Sequence, residues 1–245
     1  MHYPLEITLG AARLNAHLLF EMLAYTAGYQ LYIRMRRRST DRISDEHRNW
    51  ILLGAAAGAF LGSHVLGILE RPPALGSSLD LAYFMANKTV LGGFLGGLLG
   101  VEWTKKMLGV TASSGDLMTY PILLSLSIGR LGCHLAGLPD GTQGLPSGLP
   151  WAVDFGDGIP RHPVNLYEML VLGAIALLIY RQEKHGKLPD GLRFKIFMIV
   201  YLVWRFAAEW LKPAWYFPFG LSSIQMAALA GLVYYRKTIR SFFLR

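Results

Sequence analysis

Apolar runs long enough to cross a lipid bilayer recur along this chain of 245 residues. A helix needs about 20 mostly apolar residues to cross the hydrocarbon core of a membrane. The runs are Leu14–Ile33, Trp50–Leu69, Val90–Met107, Met118–Leu138, Leu166–Tyr180, Phe194–Leu211 and Gly220–Tyr235. They predict an all-α polytopic membrane protein with seven transmembrane helices, folded as a single transmembrane domain over residues 1–245.

The composition agrees with a membrane protein. Hydrophobic residues make up 53% of the chain and charged residues only 16%, which is unlike a soluble domain of this size. A net charge of +8 can indicate a nucleic-acid partner. Here, however, the basic residues lie in short segments between the apolar runs, where they set topology and contact anionic lipid. We therefore expect a membrane and no nucleic acid.

Basic residues concentrate in every second segment between the apolar runs. These segments hold Arg34, Arg36, Arg37, Arg38, Arg42 and Arg48; Lys105 and Lys106; Arg181, Lys184, Lys187, Arg193 and Lys195; and Arg236, Lys237, Arg240 and Arg245. The other segments hold only Arg13, Arg71, Lys88, Arg161 and Lys212. The positive-inside rule then places the N-terminus outside and the C-terminus in the cytoplasm. An even number of spans would break this alternation.

Three common features are missing from the sequence. One cysteine, Cys133, excludes an intrachain disulfide and a zinc site built on paired cysteines. No basic segment with a short apolar core begins the chain, so we expect the first run to remain as an uncleaved anchor. No motif indicates a cofactor, and we expect neither a cofactor nor a metal ion.

Glycines recur at four-residue spacing in the second and third runs. Gly54, Gly58 and Gly62 lie in one run, and Gly92, Gly96 and Gly100 in the next. In lipid, such spacing lets two helix backbones approach closely. We expect tight helix packing here and no phosphate-binding loop.

The longest segment between runs extends from about 138 to 165, on the predicted outer side. Turn-forming residues dominate it, which favours an ordered loop or a short hairpin. A loop of this length in a compact protein is usually functional. Trp151 and Phe155 suit the headgroup level of the membrane.

The first run carries a polar pair. His17 and Glu21 are four residues apart and share one helix face, with Tyr25 one turn further on. The pair can act as a proton acceptor, or its two members can simply satisfy each other in the bundle interior.

A second polar group lies in the fourth run. Charge at membrane depth is costly, so Arg130 is a candidate functional residue, although an arginine near a helix end can also reach the interface. Cys133 and His134 lie on nearly the same face. The cation favours a Cys133 thiolate, while the alternative is a small, buried apolar cysteine.

Arg205 and Glu209 form a third pair at helical spacing. The pair can be structural only. Its position near the outer side, together with Arg130 and Arg161, alternatively predicts a shared phosphate site, since guanidinium groups bind phosphate bidentately.

These motifs together resemble the prolipoprotein diacylglyceryl transferase family. The matching elements are Gly129-Arg130-Leu131-Gly132 with Gly137, Pro150-Trp151, Arg161-His162-Pro163-Val164-Asn165-Leu166-Tyr167-Glu168, Arg205-Phe206 with Glu209 before Pro213, and Leu221-Ser222 with Gln225. Their order and spacing agree over most of the chain, and the Arg-His-Pro element is the most specific.

The resemblance implies an activity and a location. Enzymes of this family move a diacylglyceryl group from phosphatidylglycerol to the lipobox cysteine of a prolipoprotein and release glycerol phosphate. For this chain we expect phosphatidylglycerol or another anionic phospholipid as the lipid partner. A multi-pass protein of the bacterial cytoplasmic (inner) membrane is implied. Arg130 and Arg205 become the expected phosphate ligands. The wider set of expected substrate-binding residues comprises Arg130, Cys133, Asp140, Arg161, Tyr167, Glu168, Arg205, Glu209 and Gln225.

The chain departs from the family pattern at several polar positions. Cys133, Ala136 and Leu138 replace two asparagines and a glutamate, and Asp140 is a candidate for the missing carboxylate. Leu91 stands where the family has a histidine. A thiol-activating base must therefore come from elsewhere. The candidates are His17 with Glu21, ranked first, then His134 and His162, because a neighbouring carboxylate makes an imidazole a stronger proton acceptor.

Two other functions remain open from the sequence. The chain can be a non-catalytic phospholipid-binding or lipid-sensing protein of the same fold, or a transferase with another acceptor. A base close to the arginines would favour the enzyme. A transporter is less favoured, because no inverted repeat is evident.

Overall fold

The computed structural model describes residues 3–9, 12–39, 41–73, 80–186 and 188–243. Helices dominate the described part of the chain. Their bounds are α1 Ala16–Arg38, α2 Asp45–Glu70, α3 Leu81–Ala86, α4 Val90–Met107, α5 Asp116–Ala136, α6 Val164–His185, α7 Leu192–Ala208, α8 Ser223–Tyr234 and α9 Arg236–Phe243. Each predicted apolar run coincides with one of these helices. Lys187 and Arg245, two of the predicted topogenic basic residues, lie outside the described residues.

Two short antiparallel hairpins interrupt the helical architecture, and the all-α prediction omits them. β1 (Glu6–Leu9) pairs with β2 (Ala12–Asn15), and β3 (Val153–Asp154) pairs with β4 (Pro160–Arg161). The second hairpin confirms the prediction for the long loop. The first hairpin corrects the start of the first run, because the Asn15 side chain accepts a hydrogen bond from the backbone N–H of His17 and caps α1 there.

The chain divides into two compact units. The first comprises residues 1–40 and 114–213 and holds α1, α5, α6, α7 and both hairpins. Within it, α5 packs against α1, α6 and α7. Its core includes buried side chains of α6 and α7, namely Leu172, Ile175, Phe197, Met198 and Leu202.

Local signals set the ends of α5. Asp116 in its first turn accepts hydrogen bonds from the backbone N–H groups of Gly191 and Phe194, which ties the start of α5 to the start of α7. At its other end, Gly137 adopts a φ of +67°, which favours glycine and stops the helix. The chain then forms a 3₁₀ turn over Leu138–Asp140, and this turn delivers Asp140 to the site described below.

The second unit comprises residues 41–113 and 214–245, with α2, α4 and α8 packed together. The predicted glycine packing of α2 against α4 is confirmed. A Cβ added to Gly96 would lie 2.2 Å from the carbonyl oxygen of Gly58, and one added to Gly62 would lie 2.4 Å from that of Gly92. Backbone touches backbone at these positions, so only glycine fits.

Apolar side chains face outward on several helices. Examples are Leu18 and Met22 on α1 and Leu61 on α2, which are about half exposed or more. Contiguous exposed apolar surface is unfavourable in water and suits lipid. By length and hydropathy together, α2 and α6 meet the requirement for a membrane span among the described residues.

Candidate functional site

A buried carboxylate organises the polar centre of the first unit. Glu168, on the second turn of α6, is 1% exposed. Its Oε1 lies 3.0 Å from Nε of Arg130 on α5, and its Oε2 lies 3.6 Å from Nη1 of Arg205 on α7. The hydroxyl of Tyr201 donates a hydrogen bond of 2.8 Å to Oε1. Three helices thus each place a polar side chain at one point, where a buried charge needs a partner.

The cluster carries an excess of positive charge. Two guanidinium groups face the single carboxylate of Glu168. Glu209 also interacts with Arg205, and Lys212 interacts with Glu168. The negative charge of Glu209 and the positive charge of Lys212 cancel each other. Moreover, Nε of Arg205 is buried and has no hydrogen-bond partner among the described residues. A buried N–H donor without a hydrogen-bond partner, in a cluster with a net positive charge, suits the binding of an anionic ligand.

Tyr201 is a member of this cluster that motif reasoning misses. It lies four residues before Arg205, so the two side chains share one face of α7. That spacing is the signal in the sequence that could have indicated it. The hydroxyl is fully buried and directed to Glu168, which fixes the carboxylate between the two arginines.

A second polar group lies beside the first. Nδ1 of His17 is 2.7 Å from Oδ1 of Asp140, and Cys133 completes a set of three ligand-type atoms that all lie within 4.8 Å of one another. Cys133 also joins the two groups, because its sulfur is 4.0 Å from Nη1 of Arg130. Helical spacing predicts the contact of Cys133 with Arg130, but it could not predict the approach of His17, since the packing of α1 on α5 creates it.

Asp140 is held as a carboxylate. Burial favours the protonated form, but hydrogen bonds with His17 and Thr142 outweigh burial and hold the pKa of Asp140 below its usual range. Thr142 in turn accepts a hydrogen bond of 3.0 Å from the side-chain amide of Asn165. The suggestion that Asp140 supplies a carboxylate to the site agrees with this position.

The predicted pairing of His17 with Glu21 is present but is not the closer one. Nε2 of His17 lies 3.8 Å from Glu21, which also accepts a hydrogen bond of 3.1 Å from Tyr25. Asp140 approaches the opposite ring nitrogen more closely. Glu21 is therefore a second partner of His17, because the turn after α5 brings a nearer carboxylate.

The other two candidate histidines, His134 and His162, each contact a tyrosine hydroxyl. Nε2 of His134 lies 3.1 Å from the hydroxyl of Tyr3, and the ring packs edge-on against Tyr3 and Phe155. His162 lies 3.4 Å from the hydroxyl of Tyr167 through Nδ1. Two aromatic rings flank His134 and one ring contacts His162. His17 is the candidate that shares a group of ligand-type atoms with Cys133 and so adjoins the buried cluster.

Arg161 has a local carboxylate partner in the β3–β4 hairpin. Its two terminal nitrogens donate hydrogen bonds of 2.6 Å to the two carboxylate oxygens of Asp157. This hydrogen bonding raises the pKa of Arg161 and lowers that of Asp157. Tyr167 accepts a hydrogen bond of 2.8 Å from the Trp151 indole, which ties Trp151 to α6, and the headgroup position of Trp151 stays a prediction. The convergence of Arg161 with the other two arginines stays a prediction.

Two expected positions fall in the second unit. Gln225 is buried at the start of α8, where its side chain and that of Ser222 form a reciprocal cap with hydrogen bonds of 3.1 Å. Leu91, at the position where the family has a histidine, is fully buried in α4. The substrate contact expected of Gln225 stays a prediction.

A helical membrane protein with a buried, net-positive arginine cluster is the class that this fold and site define. The chain belongs to the prolipoprotein diacylglyceryl transferase family, whose sequence model matches residues 4–240. It is therefore a transferase-like membrane enzyme of lipoprotein biosynthesis.

Curated relatives agree with this assignment. The phosphatidylglycerol–prolipoprotein diacylglyceryl transferase of Nitratidesulfovibrio vulgaris (strain DP4) is 30% identical over 85% of this chain and 81% of its own length. The enzyme of the same name from Geobacter sulfurreducens is 27% identical over 85% of this chain and 82% of its own. That of Bordetella parapertussis is 30% identical over 78% of this chain and 76% of its own.

Proposed function

We propose that this protein transfers the diacylglyceryl group of phosphatidylglycerol to the thiol of a prolipoprotein cysteine. The observation that carries the proposal is the buried cluster of Arg130, Glu168 and Arg205, in which two cations face one carboxylate. The names of the relatives supply the donor and the acceptor.

The arginine cluster binds the phosphate of the donor in this proposal. Arg205 offers a buried Nε without a hydrogen-bond partner among the described residues, and Arg130 lies on the other side of Glu168. As the carbon–oxygen bond of the donor breaks, negative charge grows on the departing phosphate. Preorganised cations in a dry site stabilise that charge more than water would. Tyr167 and Glu168 shape this site, and Arg161 and Glu209 contribute further substrate contacts.

The acceptor thiol requires activation, because a thiolate is the attacking species. The sulfur of the acceptor forms a bond with a glycerol carbon of the diacylglyceryl group, the bond from that carbon to phosphate oxygen breaks, and glycerol phosphate leaves with the electron pair. His17 is the residue we assign to thiol activation. It adjoins the phosphate cluster through Cys133, whose sulfur is 4.0 Å from Arg130.

The protein also has a defined topology in this proposal. Seven spans cross the bacterial cytoplasmic membrane as one transmembrane domain, with the N-terminus outside and the tail in the cytoplasm. The alternation of basic residues supports this orientation. Labelling with an impermeant thiol reagent tests it in a Cys133→Ser background that carries Arg240→Cys. Labelling from the outside of intact cells would contradict the proposed orientation.

Complementation tests the activity in cells. Cells depleted of their own prolipoprotein diacylglyceryl transferase should regain growth and mature lipoproteins when they express this chain. Expression of Arg130→Lys at equal membrane abundance is the matched control and should not restore growth. A chain that accumulates in the membrane without restoring lipoprotein maturation would contradict the proposal.

A further inference from the structure

Three side chains of the first unit present different ligand atoms to one point. His17 on α1, Cys133 on α5 and Asp140 on the following 3₁₀ turn each offer one ligand atom, and these lie within 4.8 Å of one another. In a tetrahedral zinc site the bonds are about 2.0–2.3 Å, which separates neighbouring ligand atoms by roughly 3.3–3.8 Å. Nδ1 of His17 and Oδ1 of Asp140 lie 2.7 Å apart and all three ligand atoms lie within 4.8 Å, so shifts of about 1 Å would bring them to the spacing of a zinc site.

The three side chains surround one point and are not arranged in a line as in a catalytic triad. In a nucleophile–histidine–carboxylate triad the two partners bind opposite ring nitrogens and lie far apart. Here the thiol and the carboxylate of Asp140 are neighbours, while Asp140 and Glu21 occupy the two sides of the His17 ring, at 2.7 Å from Nδ1 and 3.8 Å from Nε2. Cys133 and Asp140 therefore lie together beside the His17 ring, as two ligands of one ion would.

Two of these side chains also have an outer partner of the kind that orients metal ligands. Glu21 lies at the second nitrogen of His17. Thr142 donates a hydrogen bond to Oδ2 of Asp140, which leaves Oδ1 for an ion. Carboxylates and hydroxyls in such positions fix the orientation of ligating histidines and aspartates.

Cys133 supplies the sulfur ligand of the set. It is buried, and Nη1 of Arg130 lies 4.0 Å from its sulfur. Cysteine binds metals as the thiolate. His17 has a side chain that is 33% exposed, so an ion and a substrate thiol can reach the cluster.

We propose that this chain binds a zinc ion through His17, Cys133 and Asp140, and that the open fourth position takes the acceptor cysteine as a thiolate. Nitrogen, sulfur and oxygen ligands together suit Zn²⁺, and three protein ligands with one open position are typical of catalytic zinc. The second half of this proposal rests on the proposed transferase function. His17 then activates the acceptor thiol by holding the ion.

The chemistry balances without a further reactant. Coordination lowers the pKa of the acceptor thiol, and its proton leaves to solvent. The bound sulfur attacks the glycerol carbon of the donor, and glycerol phosphate departs toward the arginine cluster with the electron pair of the broken bond. The product is a neutral thioether, which is a weaker ligand than a thiolate and is exchanged for the next acceptor.

Metal content tests the site independently of activity. The protein is purified through a tag without histidine, equilibrated with zinc sulfate, freed of loose metal by gel filtration and measured by mass spectrometry. We expect about one zinc per chain, and a loss of about tenfold or more in affinity in Cys133→Ser and Asp140→Asn. His185→Gln, which alters a histidine at the end of α6, is the matched control and should keep its zinc. A zinc content near zero in the unaltered protein would overturn the site.

Cobalt supplies a readout that needs no variant. Unaltered protein loaded with Co²⁺ should absorb in the near ultraviolet by charge transfer from the Cys133 thiolate. A lipobox peptide should increase this band as a second thiolate binds, whereas the same peptide with serine in place of cysteine should not. The absence of a thiolate band would overturn the metal site, and an unchanged band with the cysteine peptide would overturn the open thiol position.

Transfer assays separate this proposal from the proposed function. If zinc and cobalt bind as expected but no diacylglyceryl transfer occurs, the transferase function fails and the metal site stands. If the metal-free protein transfers at the rate of the zinc-loaded protein, the role of the ion in thiol activation is overturned while the transferase function stands.

Discussion

Nε of Arg130 lies 3.0 Å from Oε1 of Glu168, and both side chains are buried. The pair joins α5 to α6 inside the first unit. Removal of one member leaves the other as a buried, uncompensated charge, at a cost of about 3–5 kcal/mol. A test of the phosphate site must therefore separate lost binding from lost stability.

Arg130→Lys should weaken binding of phosphatidylglycerol, and charge reversal in Arg130→Glu should abolish it. Lysine keeps the charge but cannot reproduce the bidentate guanidinium contact, and glutamate repels the phosphate. Binding to detergent-solubilised protein is measured by native mass spectrometry. If both variants bind the lipid as the parent does, the phosphate site lies elsewhere.

The double variant Arg130→Gln/Glu168→Gln is the control for stability. It removes both charges of the buried pair. Its unfolding temperature should therefore lie closer to that of the parent than the unfolding temperature of Arg130→Gln does. Lipid binding should nevertheless remain lost. Recovery of binding in the double variant would mean that Arg130 only balances Glu168.

Arg161 can be tested against its carboxylate partner. Asp157→Asn weakens the hydrogen bonds that hold the Arg161 guanidinium but keeps this group in place, whereas Arg161→Gln removes the guanidinium itself. If Arg161 contributes to phosphate binding, Arg161→Gln weakens binding of phosphatidylglycerol and Asp157→Asn preserves it. Equal effects of the two variants would assign Arg161 to the hairpin alone.

The β3–β4 hairpin should lose order in acid. The hydrogen bond from Arg161 holds the pKa of Asp157 below its usual range. The contribution of a carboxylate with a lowered pKa is fully present above about pH 4 and disappears as the pH falls through the lowered value. Amide exchange over residues 153–161 should therefore be slower in the parent than in Asp157→Asn at neutral pH and equal to it in strong acid. If the difference in amide exchange between the parent and Asp157→Asn stays the same at every pH, this prediction is contradicted.

Transfer to a lipobox peptide should depend most on His17. His17→Gln should lower the rate by about 100-fold, as loss of an activating group does. His134→Gln and His162→Gln should have smaller effects, because a tyrosine hydroxyl occupies one ring nitrogen of each imidazole. Asp140→Asn should resemble His17→Gln more than Glu21→Gln does, since Asp140 lies closer to the ring. An unchanged rate in His17→Gln would remove this cluster from thiol activation.

The glycine contact in the second unit predicts a difference between neighbouring positions. Gly96→Val should destabilise the protein by roughly 1–3 kcal/mol or more, because the new side chain meets the Gly58 carbonyl. Gly93→Val is the matched control, since a Cβ there would meet its nearest atom only at 3.8 Å. Thermal unfolding in detergent measures both. Equal losses of stability would contradict the proposed backbone contact.

The sequence predicted the helices well, because apolar run length and capping residues are local signals. It also indicated Arg130 and Arg205, since charges in apolar runs stand out, while the resemblance to the family indicated Glu168. The structure shows that one carboxylate lies between the two arginines, a relationship that spacing within any single helix cannot express. Tyr201 escaped notice because a tyrosine in an apolar run is ordinary until its hydroxyl is placed.

The surroundings of His17 were the least predictable part. Helical periodicity pairs His17 with Glu21, and this contact exists at 3.8 Å. The closer partner, Asp140, lies far away in sequence and is delivered by the turn that Gly137 starts. Cys133 joins them because α1 packs on α5. Such contacts depend on tertiary packing, for which a single sequence carries no direct signal.

Diacylglyceryl transfer by the purified protein is the most direct test of the central claim. The protein is reconstituted in phosphatidylglycerol vesicles with a lipobox peptide, and products are followed by mass spectrometry. We predict that the peptide gains one diacylglyceryl group on its cysteine, that glycerol phosphate appears in equal amount, and that Arg130→Lys greatly reduces both. Binding of phosphatidylglycerol that depends on Arg130, without any transfer to the peptide, would contradict the account and identify a lipid-binding protein instead of an enzyme.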